Sequence, residues 1–179
     1  MMDSETRLVC AEQLAELARL LRALPPGGYS STDDAVLATS IGAHVRHVLD
    51  HYDCLLHGLD RAEIDYACRS RDTRCESDVR FAAERIDDLV TDLTALRVPV
   101  SQTLAVRHEP GDPMLPANAS TLGRELEFLH SHTAHHFALI AILLLRQGLQ
   151  VPADFGLARS TVRHRDSNRE AESARGTGR

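Results

Sequence analysis

The sequence predicts an all-α fold, a four-helix bundle spanning residues 1–150, and three observations carry that prediction. Four stretches place their apolar residues along one helical face, the pattern of a helix with one buried side. Between them lie breakers of distinct kinds: Pro25-Pro26-Gly27-Gly28, a charged run from Asp60 to Asp78, and a proline-bearing stretch from Val98 to Ser120. The second and fourth stretches, moreover, carry histidines beside their apolar stripes, as helices that face one another in a bundle do when they build a shared site.

Helix one is expected from Ser4 to Leu24, with Leu14, Leu17, Leu21 and Leu24 as its seam, and the Pro-Pro-Gly-Gly run stops it. The polar connection YSSTDDAV follows, with room for a short helical turn. Helix two runs from an N-cap at Ser40 to His57, with Gly58 near its end. Ile41, Val45, Val48, Tyr52, Leu55 and Leu59 form its apolar stripe. At about 100° per residue, His44, His47 and His51 fall within about 60° of arc along one edge of it. The run from Asp60 to Asp78 reads as a solvated connection, although Tyr66 to Asp78 crowds more chemistry together than a plain linker. Helix three, Glu76 to Leu96, steps through Val79, Ala82, Ile86, Leu89, Leu93 and Leu96 and is read as core. VSQTLAVRH then alternates, and pairing with Met114 to Ala119 would make a small β-hairpin between helices three and four.

Helix four begins near Ser120 and ends at Gly148. His132 and His136, four apart, project side by side with Leu129, Leu139, Ile140 and Leu143, and Glu125 lies one heptad before His132. His130 points nearly the opposite way; His135 and, on helix two, His44 are read as flanking or surface residues. Two imidazoles at this spacing begin a transition-metal site, and the ridge on helix two offers a third ligand with two in reserve. Residues 151–179 form a C-terminal extension whose last dozen residues read as disordered.

Composition narrows the functional classes. Hydrophobic content of 43% and charged content of 26% are those of a globular domain, and a net charge of −6 leaves no basic surplus for nucleic acid. Aromatic content of 4% offers no stacking platform for bases either. All twenty basic residues are arginine, so Schiff-base chemistry and a lysine general base are excluded. The longest aliphatic run, Phe137 to Leu145, is too short for a bilayer, and no membrane partner is expected. The amino end lacks a secretory pattern, and Cys10, Cys54, Cys68 and Cys75 form no C-x-x-C pair; both point to free thiols and a cytoplasmic location.

SIGAHVRHVLDH, from Ser40 to His51, and HTAHHFALI, from His132 to Ile140, resemble the DinB-like (DinB/YfiT) superfamily in sequence, order and helix placement. The resemblance spans roughly residues 8 to 148. It implies a metal-binding bundle, commonly a homodimer, with one histidine from helix two and an H-x3-H pair from the last helix. Transferred to this chain, that pattern gives His47, His132 and His136, with His51 as the substitute for His47. Periodicity places His44 and His51 nearer the apolar centre of helix two than His47. Many members carry a polar residue three positions after the last histidine; here it is Leu139, which implies a drier pocket.

Three imidazoles suit zinc, nickel or iron and leave coordination positions open, as catalytic sites require. The resemblance implies a small-molecule substrate, with thiol-dependent transferases and isomerases, hydrolase-like proteins and iron-dependent sulfoxide synthases among the relatives. The stretch DYACRSRDTRCESD resembles one branch of the superfamily. Within it, Tyr66, Arg69 and Arg71 are candidates for substrate binding, the arginines as a clamp on a carboxylate. The alternative is that both arginines pair with Asp72, Glu76 and Asp78 to fasten the loop. Glu125 either orients a histidine or is an ordinary acid in the first turns of its helix. The non-enzymatic alternative is a metal- or ligand-binding dimer.

Overall fold

The computed structural model describes residues 2–32, 38–107, 116–157 and 161–168. Four long helices supply most of it: α1 (Met2–Arg22), α2 (Ile41–Gly58), α4 (Val79–Ala95) and α5 (Leu122–Arg146). The short helix α3 (Arg74–Ser77) and a 3-10 turn (Leu59–Arg61) lie between α2 and α4. Three strands complete the order: β1 (Glu63–Asp65), β2 (Thr103–Arg107) and β3 (Asn118–Thr121). They form one sheet in the order β1-β2-β3, in which β1 runs parallel and β3 antiparallel to β2. Glu63 pairs with Ala105 on one side, and Thr121 pairs with Thr103 on the other.

The all-α class is therefore corrected to helices plus a three-stranded mixed sheet. The strand that changes the class, β1, lies in the charged run read as a solvated connection. Three residues alternating exposed, buried and half-buried leave little periodic signal, and the partner strand is distant in sequence. Ile64 is nonetheless fully buried, as are Leu104 and Val106 on β2. Parallel pairing, rather than local alternation, makes this segment a strand.

Other boundaries move for local reasons. Asp78 accepts hydrogen bonds from the backbone N–H groups of Arg80 and Phe81, so it caps α4 and splits the expected third helix from α3. Ser120, expected to open the last helix, is in β3, and Thr121 caps α5 through the Arg124 N–H. Ser40 caps α2 by accepting from Ala43 N at 3.0 Å. The turn expected in the 29–36 connection involves residues 33–37, the hairpin's turn involves 108–115, and the expected disorder at the C-terminus involves 169–179; these lie outside the described residues.

α1 packs along α4 and α5, and α2 packs against α4 and α5 around a single core. Leu14, Leu17, Val45, Val48, Leu55, Ile86, Leu89, Leu93, Leu129 and Ile140 meet there, each at most 1% exposed. α2 and α3 approach closely at Gly42, where an added Cβ would lie 2.0 Å from the Glu76 carbonyl oxygen. α5 is the one described helix long and apolar enough to cross a bilayer by length and composition. In this fold its apolar stripe, including Leu126, Leu129, Ile140 and Leu144, is buried in the core. Packing of α2 against α5 sets their two rows of histidine face to face.

Candidate metal centre

Five imidazoles from these two helices form a continuous cluster. His47 lies 5.0 Å from His132 and 4.6 Å from His136, centroid to centroid. His51 lies 4.4 Å from both His47 and His132. The nitrogens of His47, His51 and His132 all come within 4.8 Å of one another, and this group can hold a metal ion. His136 stands next to it, 4.6 Å from His132 between centroids. Its Nδ1 is instead 3.0 Å from Nδ1 of His44. His44, read as a flanking or surface residue, is half-buried and bonded within the cluster, whereas His135 is exposed.

Hydrogen bonds fix which nitrogens carry protons. His51 Nδ1 is 2.8 Å from the His47 carbonyl oxygen, which can only accept, so His51 donates there and keeps its lone pair on Nε2. That arrangement presents Nε2 to a metal and holds the ring in place. His132 Nε2 is buried without a hydrogen-bond partner among the described residues. An orphaned imidazole nitrogen beside two others is the kind of unsatisfied atom that an ion would satisfy. The donor set, all nitrogen, suits zinc, nickel or iron rather than magnesium or calcium. The residues present therefore fit a transition metal.

Burial keeps these rings neutral. It pulls the His47 pKa down to about 3, helped by His51, His132 and the guanidiniums of Arg69 and Arg46. Burial and then the neighbouring His51 and His135 lower His132 to about 4. His136, 9% exposed, falls to about 2, with His132 and His47 next in effect after burial. A neutral imidazole is the form that ligates, so the fold holds these rings in the state a metal would require.

The remaining candidates sort into distinct positions. Tyr66 stacks on His51 at 5.4 Å and 22°, and its hydroxyl donates to Glu125 Oε2 at 3.0 Å. Glu125 is 2% exposed and also accepts from Ser120 Oγ, so it acts on the cluster through Tyr66. Burial and the Glu125 carboxylate push the Tyr66 phenol far above its ordinary range. Arg69 Nη1 is 3.1 Å from His47 Nδ1, at the edge of the candidate ligand set. Arg71 is placed differently: its backbone N–H donates to Asp50 Oδ1 at 3.2 Å, and its φ of 54° is left-handed.

Asp50 and Phe128 are the residues that sequence reasoning missed. Asp50, 3% exposed, accepts from Arg46 Nη1 at 2.8 Å, Ser70 Oγ at 3.1 Å and Arg71 N. Its signal was weak: it lies on the polar side of α2 with Arg46 and Asp53, opposite the apolar stripe, where an acid is ordinarily solvent-exposed. Phe128 stacks on His132 at 5.5 Å and 26°, one helical turn before it. A separate cleft of about 570 Å³ opens between α1 and α5, lined by Glu16, His130, Phe137, Asp154 and Arg163 among others. The histidine cluster does not line that cleft; converging donor atoms, rather than volume, mark the candidate site.

No family model matches the chain. Over 104 residues, 56% of its length, the chain is 31% identical to FK506-binding protein 5 of Rhizopus delemar. That match spans 27% of the fungal protein, so the chain corresponds to about a quarter of the curated relative.

Proposed function

We propose that this chain is a DinB-like, metal-dependent protein that uses His47, His51 and His132 to hold a divalent transition metal and carries out thiol-dependent transfer on a small anionic molecule. The convergence of three imidazole nitrogens within 4.8 Å, one of them buried and unsatisfied, carries the reading. The motifs SIGAHVRH and HTAHH support it in sequence. The name of the fungal relative describes a protein of which the match covers 27%, and no feature of the histidine cluster depends on that name.

When bound, a metal of this class acts as a Lewis acid and lowers the pKa of a thiol or water beside it. The chain's own residues prepare that chemistry. His51 commits its Nδ1 proton to the His47 carbonyl and offers Nε2. Glu125 accepts from Tyr66, which braces the ring of His51, while Phe128 stacks on His132. Arg69, half-buried beside His47, supplies the positive charge that a carboxylate-bearing thiol would meet. The free thiols Cys10, Cys54, Cys68 and Cys75 support a reducing, cytoplasmic setting, and we propose a homodimer as the working form.

Metal analysis of protein purified without a histidine tag, followed by calorimetric titration with N-acetylcysteine, tests the proposal. Near-stoichiometric zinc, nickel or iron is expected, with thiol binding that disappears when the metal is removed. Substoichiometric metal under all growth conditions would sink the metal centre. Full metal without any thiol binding would leave a metal-binding protein and remove the transferase reading.

A further inference from the structure

Resting on the metal centre proposed above, we infer that Arg69 is a gate on His47: its guanidinium closes one ligand, and a small carboxylate that draws it away opens the centre. Metal and anion then bind cooperatively. A guanidinium has five donors and no acceptor, so at 3.1 Å the His47 Nδ1 must be the acceptor. A neutral imidazole that accepts at Nδ1 carries its proton on Nε2, and neither nitrogen then has a free lone pair. His51, one turn along α2, is in the opposite tautomer, with its proton on Nδ1 donated to the His47 carbonyl and its lone pair on Nε2. Adjacent histidines of α2 thus hold opposite tautomers, and a guanidinium occupies the acceptor nitrogen of His47.

Metal binding at His47 requires the closed ligand to change. Either Nδ1 ligates directly, or Nε2 ligates and Nδ1 takes the proton; both end its acceptance from Arg69. Repulsion between the guanidinium and a divalent cation acts the same way. The part that moves is the side chain, because the next two residues are tethered. Ser70 Oγ and the Arg71 N–H both bond to Asp50, a buried acid also held by Arg46. Arg69 itself is half-buried, so part of its side chain faces the solvent from which an anion arrives.

Carboxylate is the partner that can hold a displaced guanidinium, through two parallel N–H···O bonds. An anion that binds Arg69 in its open position raises metal affinity, and by linkage the metal raises anion affinity by the same factor. The device would favour loading of the centre in the presence of an anionic ligand. It assigns Arg69 and Arg71 different tasks, the first at the ligand and the second in the tether.

The test is an optical Co²⁺ titration of the full chain, wild type and Arg69→Met, with and without acetate. Methionine keeps a long stem but no donor. Arg69→Met is expected to bind Co²⁺ about tenfold more tightly or better, the scale of removing one hydrogen bond to a charged group. Acetate is expected to tighten Co²⁺ binding in the wild type and not in the variant. Equal or weaker Co²⁺ binding by Arg69→Met, or equal acetate effects in both proteins, overturns the gate and leaves the metal centre standing. No Co²⁺ binding in either protein removes the centre and the gate together. A metal-free measurement stands beside these: ring ¹⁵N shifts should show His47 with its proton on Nε2 and His51 with its proton on Nδ1. A wild-type His47 protonated on Nδ1 overturns the inference.

Discussion

His51 and His136 differ in what surrounds them, and the difference favours His51 as the third candidate ligand. Both lie within reach of His132, at centroid distances of 4.4 Å and 4.6 Å. His51 has its Nδ1 proton placed on a carbonyl, which leaves the lone pair on Nε2. His136 shares a bond with His44, whose Nε2 is buried without a partner among the described residues. A buried N–H left unbonded is rarer than a lone pair left unbonded. The favoured tautomer therefore has His44 donating from Nδ1, which puts the His136 proton on Nε2 and leaves that ring without a free lone pair. His51→Ala is expected to lower metal content sharply, and His136→Ala to retain most of it, by elemental analysis of tag-free protein. Retention in His51→Ala with loss in His136→Ala would return the third position to the H-x3-H pair.

At the scale of the element, the segment from β1 to α3 decides how α2 is dressed. Asp50 is its anchor: Arg46 pairs with Asp50 at 2.8 Å and with Glu76 at 2.9 Å, linking α2 to α3. Ser70 and Arg71 add two more bonds to the same carboxylate. Removing Asp50 leaves Arg46 partly buried with one partner fewer and frees the loop. Asp50→Ala is expected to cost about 3 kcal/mol in chemical denaturation, the scale for breaking a buried ion pair. A loss below about 0.5 kcal/mol, the range of surface substitutions, would mean that the loop is held elsewhere. The four long helices were legible because Leu14 to Leu24, Val79 to Leu93 and their counterparts repeat at the helical period. The histidine rows of α2 and α5 were legible for the same reason. β1 was not, because three residues and a parallel partner leave no local pattern, and the contact of Arg69 with His47 depends on a loop path that spacing does not encode. Neither could spacing choose between His51 and His136, since both sit one turn from another ligand.

For the whole molecule, two consequences follow from what it exposes and what it buries. Ile142 and Leu145 lie three apart on the outer side of α5, at 45% and 63% exposure, and Leu8 on α1 is also exposed at 45%. A homodimer covering such residues is the expected solution state, and sedimentation at high micromolar concentration giving a monomer would remove it. The second consequence concerns acid. His47, His132 and His136 have folded pKa values of about 3, 4 and 2, and burial lowers His44 as well. In the unfolded chain each titrates near about 6.5. Below that pH the unfolded state binds protons that the folded state refuses, so stability is fully present above about 6.5 and falls as pH drops toward the folded values. Asp53 and Glu16 oppose this, since burial raises both and the folded state takes up their protons first. The histidines dominate between about pH 6.5 and 5, because that window lies above the ordinary carboxylate range. Urea melts of metal-free protein should therefore show a falling midpoint from pH 7 to pH 5. His136→Gln, which cannot take a proton, should show a shallower fall. Bound metal should steepen the dependence, since protons then compete for the same nitrogens. A midpoint that stays level or rises from pH 7 to pH 5 in the metal-free protein would mean that the cluster is open to water, and the preformed neutral ligand set would go with it.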